Sequence, residues 1–250
     1  MTVPASRTVL ITGASGGIGG ALAVAYAAPG VDLVLHGRKE SALDAVAARC
    51  RALGAVVRTR SLDLRDVAAL RAWLAGEPAP DLAIVNAGVN GLGGDGGWPS
   101  VEEVLEVNVR AAIATAEALL PAMRARGSGQ VALLSSLAAW YGLPAAPAYS
   151  ASKAALKAYG EAMRGRFASE GIGFTVVMPG FVETPMERVF PGAKPFLWQP
   201  ERAARYIRER LARNPARISF PFPLTLGSWL LAALPPAWSQ RLAALLGYGR

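Results

Sequence analysis

Tyr149 and Lys153 stand four residues apart in the run Ala148-Tyr149-Ser150-Ala151-Ser152-Lys153. On a helix this spacing puts both side chains on one face. A phenol ordinarily loses its proton at about pH 10, too high for efficient acid/base work. An ammonium held close to the phenolate oxygen stabilises the charged form and draws that value toward working pH. Such a pair can move a proton to or from an oxygen atom of a bound molecule. The spacing also fits an ordinary amphipathic helix, so the elements around it have to decide.

Those elements alternate. Residues 7–12 (RTVLIT) read as a short buried strand, followed at once by Gly13-Ala14-Ser15-Gly16-Gly17-Ile18-Gly19 and an apolar helical pattern through Leu22, Ala25 and Tyr26. Strand, glycine-rich turn and helix start together form an anion site. Glycine lets the backbone approach a pyrophosphate, and the first N–H groups of the helix point at it. The spacing is T-G-x-x-x-G-x-G (Thr12, Gly13, Gly17, Gly19), not the generic G-x-G-x-x-G. A second strand over residues 31–36 ends at His36, Gly37 and Arg38, where a dinucleotide fold meets the adenosine ribose. A carboxylate there would bind a 2′-hydroxyl. Here Gly37 leaves room and Arg38 offers a fork suited to phosphate, which favours NADP(H) over NAD(H) unless Arg38 is simply a solvated strand end. His36 reads as a strand-end residue rather than a catalyst.

The pattern repeats through a helix over 40–53, a strand over 56–61 and a helix over 65–75. A strand over 81–85 then runs into Asn86-Ala87-Gly88. A glycine-rich loop spans residues 89–99. Ser100 and Glu103 have capping-box spacing and are expected to open a long helix to residue 126. Asn108 lies inside that helix, where asparagine is a poor former unless its amide is engaged. A strand over 130–135 ends in Ser135-Ser136, Pro147 opens the helix of Tyr149 and Lys153, and a strand over 173–178 stops at Pro179-Gly180. The expected fold is α/β: a doubly wound, Rossmann-like parallel sheet with helices on both faces.

Composition agrees with one large core. The chain has 250 residues, 52% apolar and 18% charged, and no internal repeat or long polar linker, so residues 1–250 read as a single domain. With one cysteine (Cys50) and one histidine (His36), neither an internal disulfide nor a Cys/His metal cluster is expected, and a reducing, cytoplasmic setting fits. Residues 1–7 are too short and polar for a secretory signal. The net charge of +8 lies mostly in arginines scattered among alanines, without interleaved aromatics, which argues against nucleic-acid binding.

Taken in order, TGASGGIG at 12–19, NAG at 86–88, Asn108, Ser136, Tyr149-x-x-x-Lys153 and PGFVET at 179–184 resemble the short-chain dehydrogenase/reductase superfamily in its single-domain form. The resemblance covers residues 7–184. It implies that Tyr149 exchanges a proton with the substrate oxygen while Ser136 hydrogen-bonds that oxygen. Lys153 would lower the Tyr149 pKa and hold the nicotinamide ribose, and Asn108 would support a water that relays protons. Ser136 is preferred to Ser135 because its thirteen-residue separation from Tyr149 fits the family. The turn Gly13, Ser15, Gly17, Ile18 and Gly19 would cradle the pyrophosphate, and Asp63 and Leu64 would meet the adenine. Asn86, Ala87 and Gly88 would line the cofactor cleft; Pro179, Gly180, Val182 and Thr184 would lie at the carboxamide end. Gly16 stands where a basic residue would give a second NADP signal, so that preference rests on Arg38 with Gly37. The implied activity is hydride transfer between NADP(H) and a carbonyl or secondary alcohol, by a homodimer or homotetramer. The alternative is a non-catalytic cofactor-binding protein on the same fold.

Specificity is expected in the loop 89–99, the segment 137–147 and a lid over 181–198. These hold Trp98, Trp140, Tyr141, Phe181, Phe190, Phe196 and Trp198, which suggests a lipophilic substrate. Residues 200–214 read as an Arg-rich helix and 216–220 as a last strand. The apolar extension 218–250 is interrupted by Pro221, Pro223, Pro235 and Pro236, which argues against a spanning helix. Its Trp229, Leu230, Leu231, Leu234, Trp238, Leu242, Leu245 and Leu246 suggest short apolar helices that meet a membrane surface, a second copy, or the substrate mouth.

Overall fold

A computed structural model describes residues 7–92, 97–190 and 192–245. Seven strands, β1 (Arg7–Ile11), β2 (Val31–His36), β3 (Val56–Arg60), β4 (Leu82–Val85), β5 (Gly129–Leu134), β6 (Ile172–Pro179) and β7 (Arg217–Phe220), form one sheet in the order β3-β2-β1-β4-β5-β6-β7. Every neighbouring pair is parallel. Every residue of β4 and β6 is buried, as strands covered on both faces must be, and their sequences LAIV and IGFTVVMP are accordingly almost free of polar residues.

Side-chain alternation sends successive residues to opposite layers. Val9, Ile11, Leu33 and Leu35 pack with Leu22 of α1 (Gly17–Tyr26), Leu43 of α2 (Glu40–Ala52) and Ile207 of α8 (Pro200–Leu211). Leu10, Val34, Val131 and Leu133 face the other layer. There they meet Leu70 of α3 (Val67–Ala75), Leu119 and Met123 of α5 (Ala112–Arg126), and Leu156 of α6 (Pro147–Phe167). The order reverses between β1 and β4, and ligands of open α/β sheets bind at such a switch point. The turn after β1 and Asn86 after β4 both lie at this crevice.

Several boundaries differ from the sequence reading. The helix expected to open at Ser100 begins at Gly97 as α4 (Gly97–Leu105), so Ser100 sits inside its first turn. Residues 93–96 of the loop before it lie outside the described residues, as do Pro191 of the lid and Leu246 of the extension. Helix α3 starts two residues late because Asp66 caps it, its carboxylate accepting from Ala69 N at 2.9 Å. Helix α8 stops at Leu211, before Asn214 turns to φ 44°. Between α4 and α5 the chain winds as a π-helix over Glu106–Ala111, which contains Asn108. The segment after β6 carries the single-turn helix α7 (Pro185–Arg188), and the last described helices are α9 (Phe222–Ala233) and α10 (Pro236–Leu245). No helix among the described residues is long and apolar enough to cross a membrane.

Candidate active site

The turn after β1 is built by contacts that only glycine permits. Gly13 adopts φ 69°, and a Cβ there would stand 2.8 Å from Ala87 Cα. A Cβ on Gly19 would run into the Gly13 carbonyl and approach Asn86 Nδ2 at 2.5 Å. Asn86 locks this arrangement: its Nδ2 donates to Thr12 O (3.0 Å) and Gly13 O (3.1 Å), while Thr12 Oγ1 accepts from Asn86 N and Ala87 N. The Asn86 side chain thus ties β1 to β4. Helix α1 starts with no side-chain cap and no acid in its first turn, leaving its N–H groups available to an anion.

His36 supports the turn from behind. Its Nε2 donates to Leu62 O at 2.9 Å and its Nδ1 faces Gly13 N at 3.5 Å, an arrangement that requires the neutral ring. Burial holds its pKa below the usual histidine value. Gly37 has a more specific reason than room for a ligand, since a Cβ there would meet Ser15 Cβ at 2.9 Å. Arg38 is half exposed and lies 3.7 Å from Glu103. Asp63 is gripped by Arg65, whose guanidinium and backbone N–H hold its carboxyl down at about 2.

At the other end of the crevice, α6 and the end of β5 bring Tyr149, Lys153, Ser135 and Ser136 together. The two serines have different partners. Ser135 is buried and donates its hydroxyl to Lys153 O at 2.7 Å. Ser136 acts on the Tyr149 phenol, favouring its charged form, and its Oγ accepts from Ala138 N at 3.1 Å. Lys153 is 4% exposed; its Nζ donates to Leu134 O at 2.8 Å and lies 5.4 Å from the centre of the Tyr149 ring.

The electrostatics here overturn one expectation. Tyr149 is not lowered in this structure: burial pushes its phenol up to about 12, with Ser136 opposing and the Glu187 charge adding to the rise. The Lys153 amine itself donates to the Leu134 carbonyl. Burial lowers Lys153 itself to about 8.

Asn108 explains the π-helix. Its Oδ1 accepts from Val89 N (2.8 Å), and its Nδ2 donates to Val89 O (2.8 Å) and Ser152 Oγ (3.0 Å). Ser152 donates on to Tyr149 O at 2.7 Å. A fully buried amide thus joins the loop after β4 to the helix of Tyr149, and single π turns recur where a helix must present one such residue. These contacts position the loop and α6 relative to each other. Gly88 lets the two groups approach, since a Cβ there would meet Asn108 Oδ1 at 3.1 Å and Lys153 Nζ at 3.4 Å.

Most of these groups border one cleft of about 390 Å³. Of the residues expected to bind a cofactor, Gly13, Ser15, Gly17, Ile18, Arg38, Asp63, Leu64, Asn86, Ala87, Gly88, Lys153, Pro179, Gly180, Val182 and Thr184 line it. Ser136 and Tyr149 line it too, whereas Gly19 and Asn108 lie behind its wall. The arrangement suits an elongated anionic dinucleotide, with a glycine cradle and free helix N–H groups at one end and a Ser/Tyr/Lys group at the other.

The profile of the family described as short chain dehydrogenase matches residues 7–193. The chain belongs to the short-chain dehydrogenase family. An "uncharacterized oxidoreductase" of Myxococcus xanthus is 34% identical over 235 residues, covering 92% of this chain and 93% of that one. Among solved structures, a short-chain dehydrogenase from Sphingobium yanoikuyae in complex with NADPH superposes with a TM-score of 0.80 at 26% identity, over 96% of this chain and 94% of that one. A short-chain dehydrogenase from Mycobacterium paratuberculosis bound to NAD shares the fold, with TM-score 0.75, 24% identity and coverage of 88% and 98%.

The aromatic lining expected for this dehydrogenase is not found. None of Trp98, Trp140, Tyr141, Phe181, Phe190, Phe196 or Trp198 borders the cleft. Trp198 packs instead with Tyr206 and Phe220, Phe181 faces Phe190, and Trp140 lies under Lys157 and Arg217. Val89, Val107, Pro185, Met186 and Glu187 also line the cleft. Among the described residues none of α9 or α10 borders the cleft, although Leu224 of α9 packs against Leu137 and Met178 next to it. Sequence reasoning missed Glu187 and Lys39. Lys39 was signalled by its place beside Arg38, while nothing local marked Glu187.

Since Gly19 fits only without a side chain, Gly19→Ala should force the Gly13 turn and Asn86 apart. We expect a stability loss of about 1–3 kcal/mol and at least a tenfold loss in nicotinamide-dinucleotide affinity. Thermal unfolding and equilibrium titration measure the two effects.

Proposed function

We propose that this dehydrogenase reduces ketones or aldehydes, and oxidises the matching secondary alcohols, with NADP(H). The observation that carries the reading is the meeting of Tyr149, Ser136 and Lys153 in the same cleft as the glycine turn. The nicotinamide dinucleotide, when bound, supplies the hydride chemistry. Gly13, Ser15, Gly17 and Ile18 would hold its pyrophosphate, with Gly19 letting the turn close. Asp63 and Leu64 would meet the adenine. Asn86, Ala87 and Gly88 would form the cleft wall, and Pro179, Gly180, Val182 and Thr184 would meet the carboxamide end.

The chain's own residues supply the rest. Ser136 donates a hydrogen bond to the substrate oxygen as charge gathers there, and Tyr149 passes its proton to that oxygen. A phenol raised to about 12 is protonated at neutral pH, the form that reduction requires. Lys153, still mostly cationic below about 8, places a positive charge beside the reacting atoms and the ribose. Asn108 fixes the geometry of α6. The presence of all four residues weighs against the non-catalytic alternative.

Arg38, backed by Lys39, supports the choice of NADP(H), because both cations border the ribose end and no carboxylate follows β2 directly. Arg38→Ala should weaken NADPH by about 10- to 100-fold and NADH by less than about threefold. Equal losses in the two titrations would sink the phosphate assignment.

A lipophilic substrate is supported by apolar residues exposed on the lid: Met186, Val189, Phe196 and Leu197. Asn90 Nδ2 ties the glycine-rich loop to this lid through Met186 O at 2.9 Å. NADPH and NADH oxidation across carbonyls from small and polar to steroid-sized tests the reading. Turnover with NADPH on apolar ketones is expected, and its absence in both directions would overturn the reading. The exposed face of α9 and α10, with Phe222, Trp229 and Trp238, suits a second copy of the chain or a peripheral contact with an anionic bilayer. Sedimentation and liposome flotation separate the two.

A further inference from the structure

Glu187 sits in the lid on α7, where its backbone N–H donates to the capping Thr184 Oγ1 at 3.2 Å. Its side chain borders the cleft and keeps 17% exposure. Oε1 is buried and has no hydrogen-bond partner. Lys194 comes close but donates to Glu187's own carbonyl at 2.7 Å, leaving its Nζ 3.7 Å from Oε1. The two form a long ion pair, and no hydrogen bond of normal length reaches Oε1. Arg188, on the same turn, pairs with Glu183 at 3.9 Å.

A buried carboxylate oxygen without a donor is costly, and such groups commonly await a ligand. Glu187 borders the same cleft as Tyr149, in the turn capped by Thr184, and the loop after β4 reaches that turn through Asn90 Nδ2 and Met186 O at 2.9 Å, while Arg38 and Asp63 border the cleft at its ribose end. A carboxylate is unsuited to face a pyrophosphate or a 2′-phosphate. Its partner is therefore sought on the substrate.

We propose that Glu187 is a second polar anchor of the substrate site, selecting carbonyl compounds that carry a hydrogen-bond donor, hydroxyl or ammonium, a few bonds from the reacting carbonyl. The inference rests on the oxidoreductase reading above and narrows its substrate class. An apolar body lies against Met186 and the lid, the carbonyl oxygen meets Ser136 and Tyr149, and the donor reaches Glu187. Anionic substituents at that place are rejected by like charge. Burial raises the Glu187 carboxyl to about 6, with Lys194 opposing, so the acceptor is mainly ionised at neutral pH.

The test uses full-length Tyr149→Phe protein loaded with NADPH, so that binding is read without turnover. Four phenyl ketones are titrated, propiophenones whose terminal carbon carries hydrogen, hydroxyl, dimethylammonium or carboxylate. The hydroxyl and dimethylammonium compounds should bind about tenfold more tightly than the parent, and the carboxylate more weakly than all three. In the Tyr149→Phe/Glu187→Leu protein these ratios should fall within twofold of one. Glu187→Gln, which keeps an acceptor and removes the charge, should retain the hydroxyl preference and lose the discrimination between dimethylammonium and carboxylate. Affinities independent of the terminal group, undetectable ones included, would overturn the proposal. So would a tenfold loss of NADPH affinity in the Leu variant, because it assigns the carboxylate to the cofactor. Failure of the oxidoreductase reading shows separately, as absence of turnover when Tyr149 is intact.

Discussion

Tyr149→Phe should lower carbonyl reduction by about a thousandfold, equivalent to about 4 kcal/mol of transition-state stabilisation, while NADPH affinity changes less than about twofold. The substitution deletes one hydroxyl and leaves the ring where Lys153 lies 5.4 Å from its centre. What disappears is the proton, not the packing of α6. Steady-state rates and equilibrium titration of the same preparation check both halves. Retention of more than a tenth of the activity would remove Tyr149 from the mechanism.

Lys153→Met should show the opposite signs in activity and stability. Activity should fall by about a hundredfold, because a buried positive charge leaves the reacting end of the cleft. Stability of the protein without added nucleotide should rise. Lys153 titrates at about 8 in the folded chain against its ordinary 10.5, so folding at neutral pH opposes its charged form. That shift corresponds to at most about 3 kcal/mol. Losing the bond to Leu134 O takes back about 1–2 kcal/mol, for a net gain of about 1–2 kcal/mol at pH 7.

The pH dependence carries the sign. Between about 8 and 10.5 the unfolded wild type binds more protons at this site than the folded one, so wild-type stability rises with pH there. The Met variant lacks that rise, and its advantage should shrink from pH 7 to pH 9.5. Denaturant unfolding at the two values measures it. A variant less stable than wild type at pH 7 would mean that the charge is compensated in the folded chain.

The sheet was legible because buried parallel strands read as unbroken apolar runs, such as LAIV of β4 between Asp81 and Asn86. The glycine turn after β1 was legible because Gly13 and Gly19 answer to local backbone approach. What escaped depends on distant partners. The start of α4 at Gly97 could not be read from Ser100 and Glu103, since nothing local says which turn of a helix comes first. The aromatics assigned to the pocket found one another through tertiary packing, as Trp198 did with Phe220. Tyr149 was expected to be lowered because spacing reports a neighbouring ammonium but not the burial that opposes it or the Leu134 carbonyl that engages it. Glu187 was invisible because a one-turn helix has no periodicity, and only the folded lid reveals its unpartnered oxygen.

The central claim, hydride transfer to a carbonyl at the Tyr149 end of the cleft, is tested most directly by isotope. The protein is incubated with NADPH carrying deuterium at nicotinamide C4 and an aryl ketone, and the product alcohol is analysed by mass spectrometry and NMR. One deuterium on the carbinol carbon, formed in step with NADPH consumption and absent with Tyr149→Phe, is the predicted result. Tight NADPH binding with no labelled alcohol from any carbonyl, and no oxidation of the matching alcohols, would contradict it.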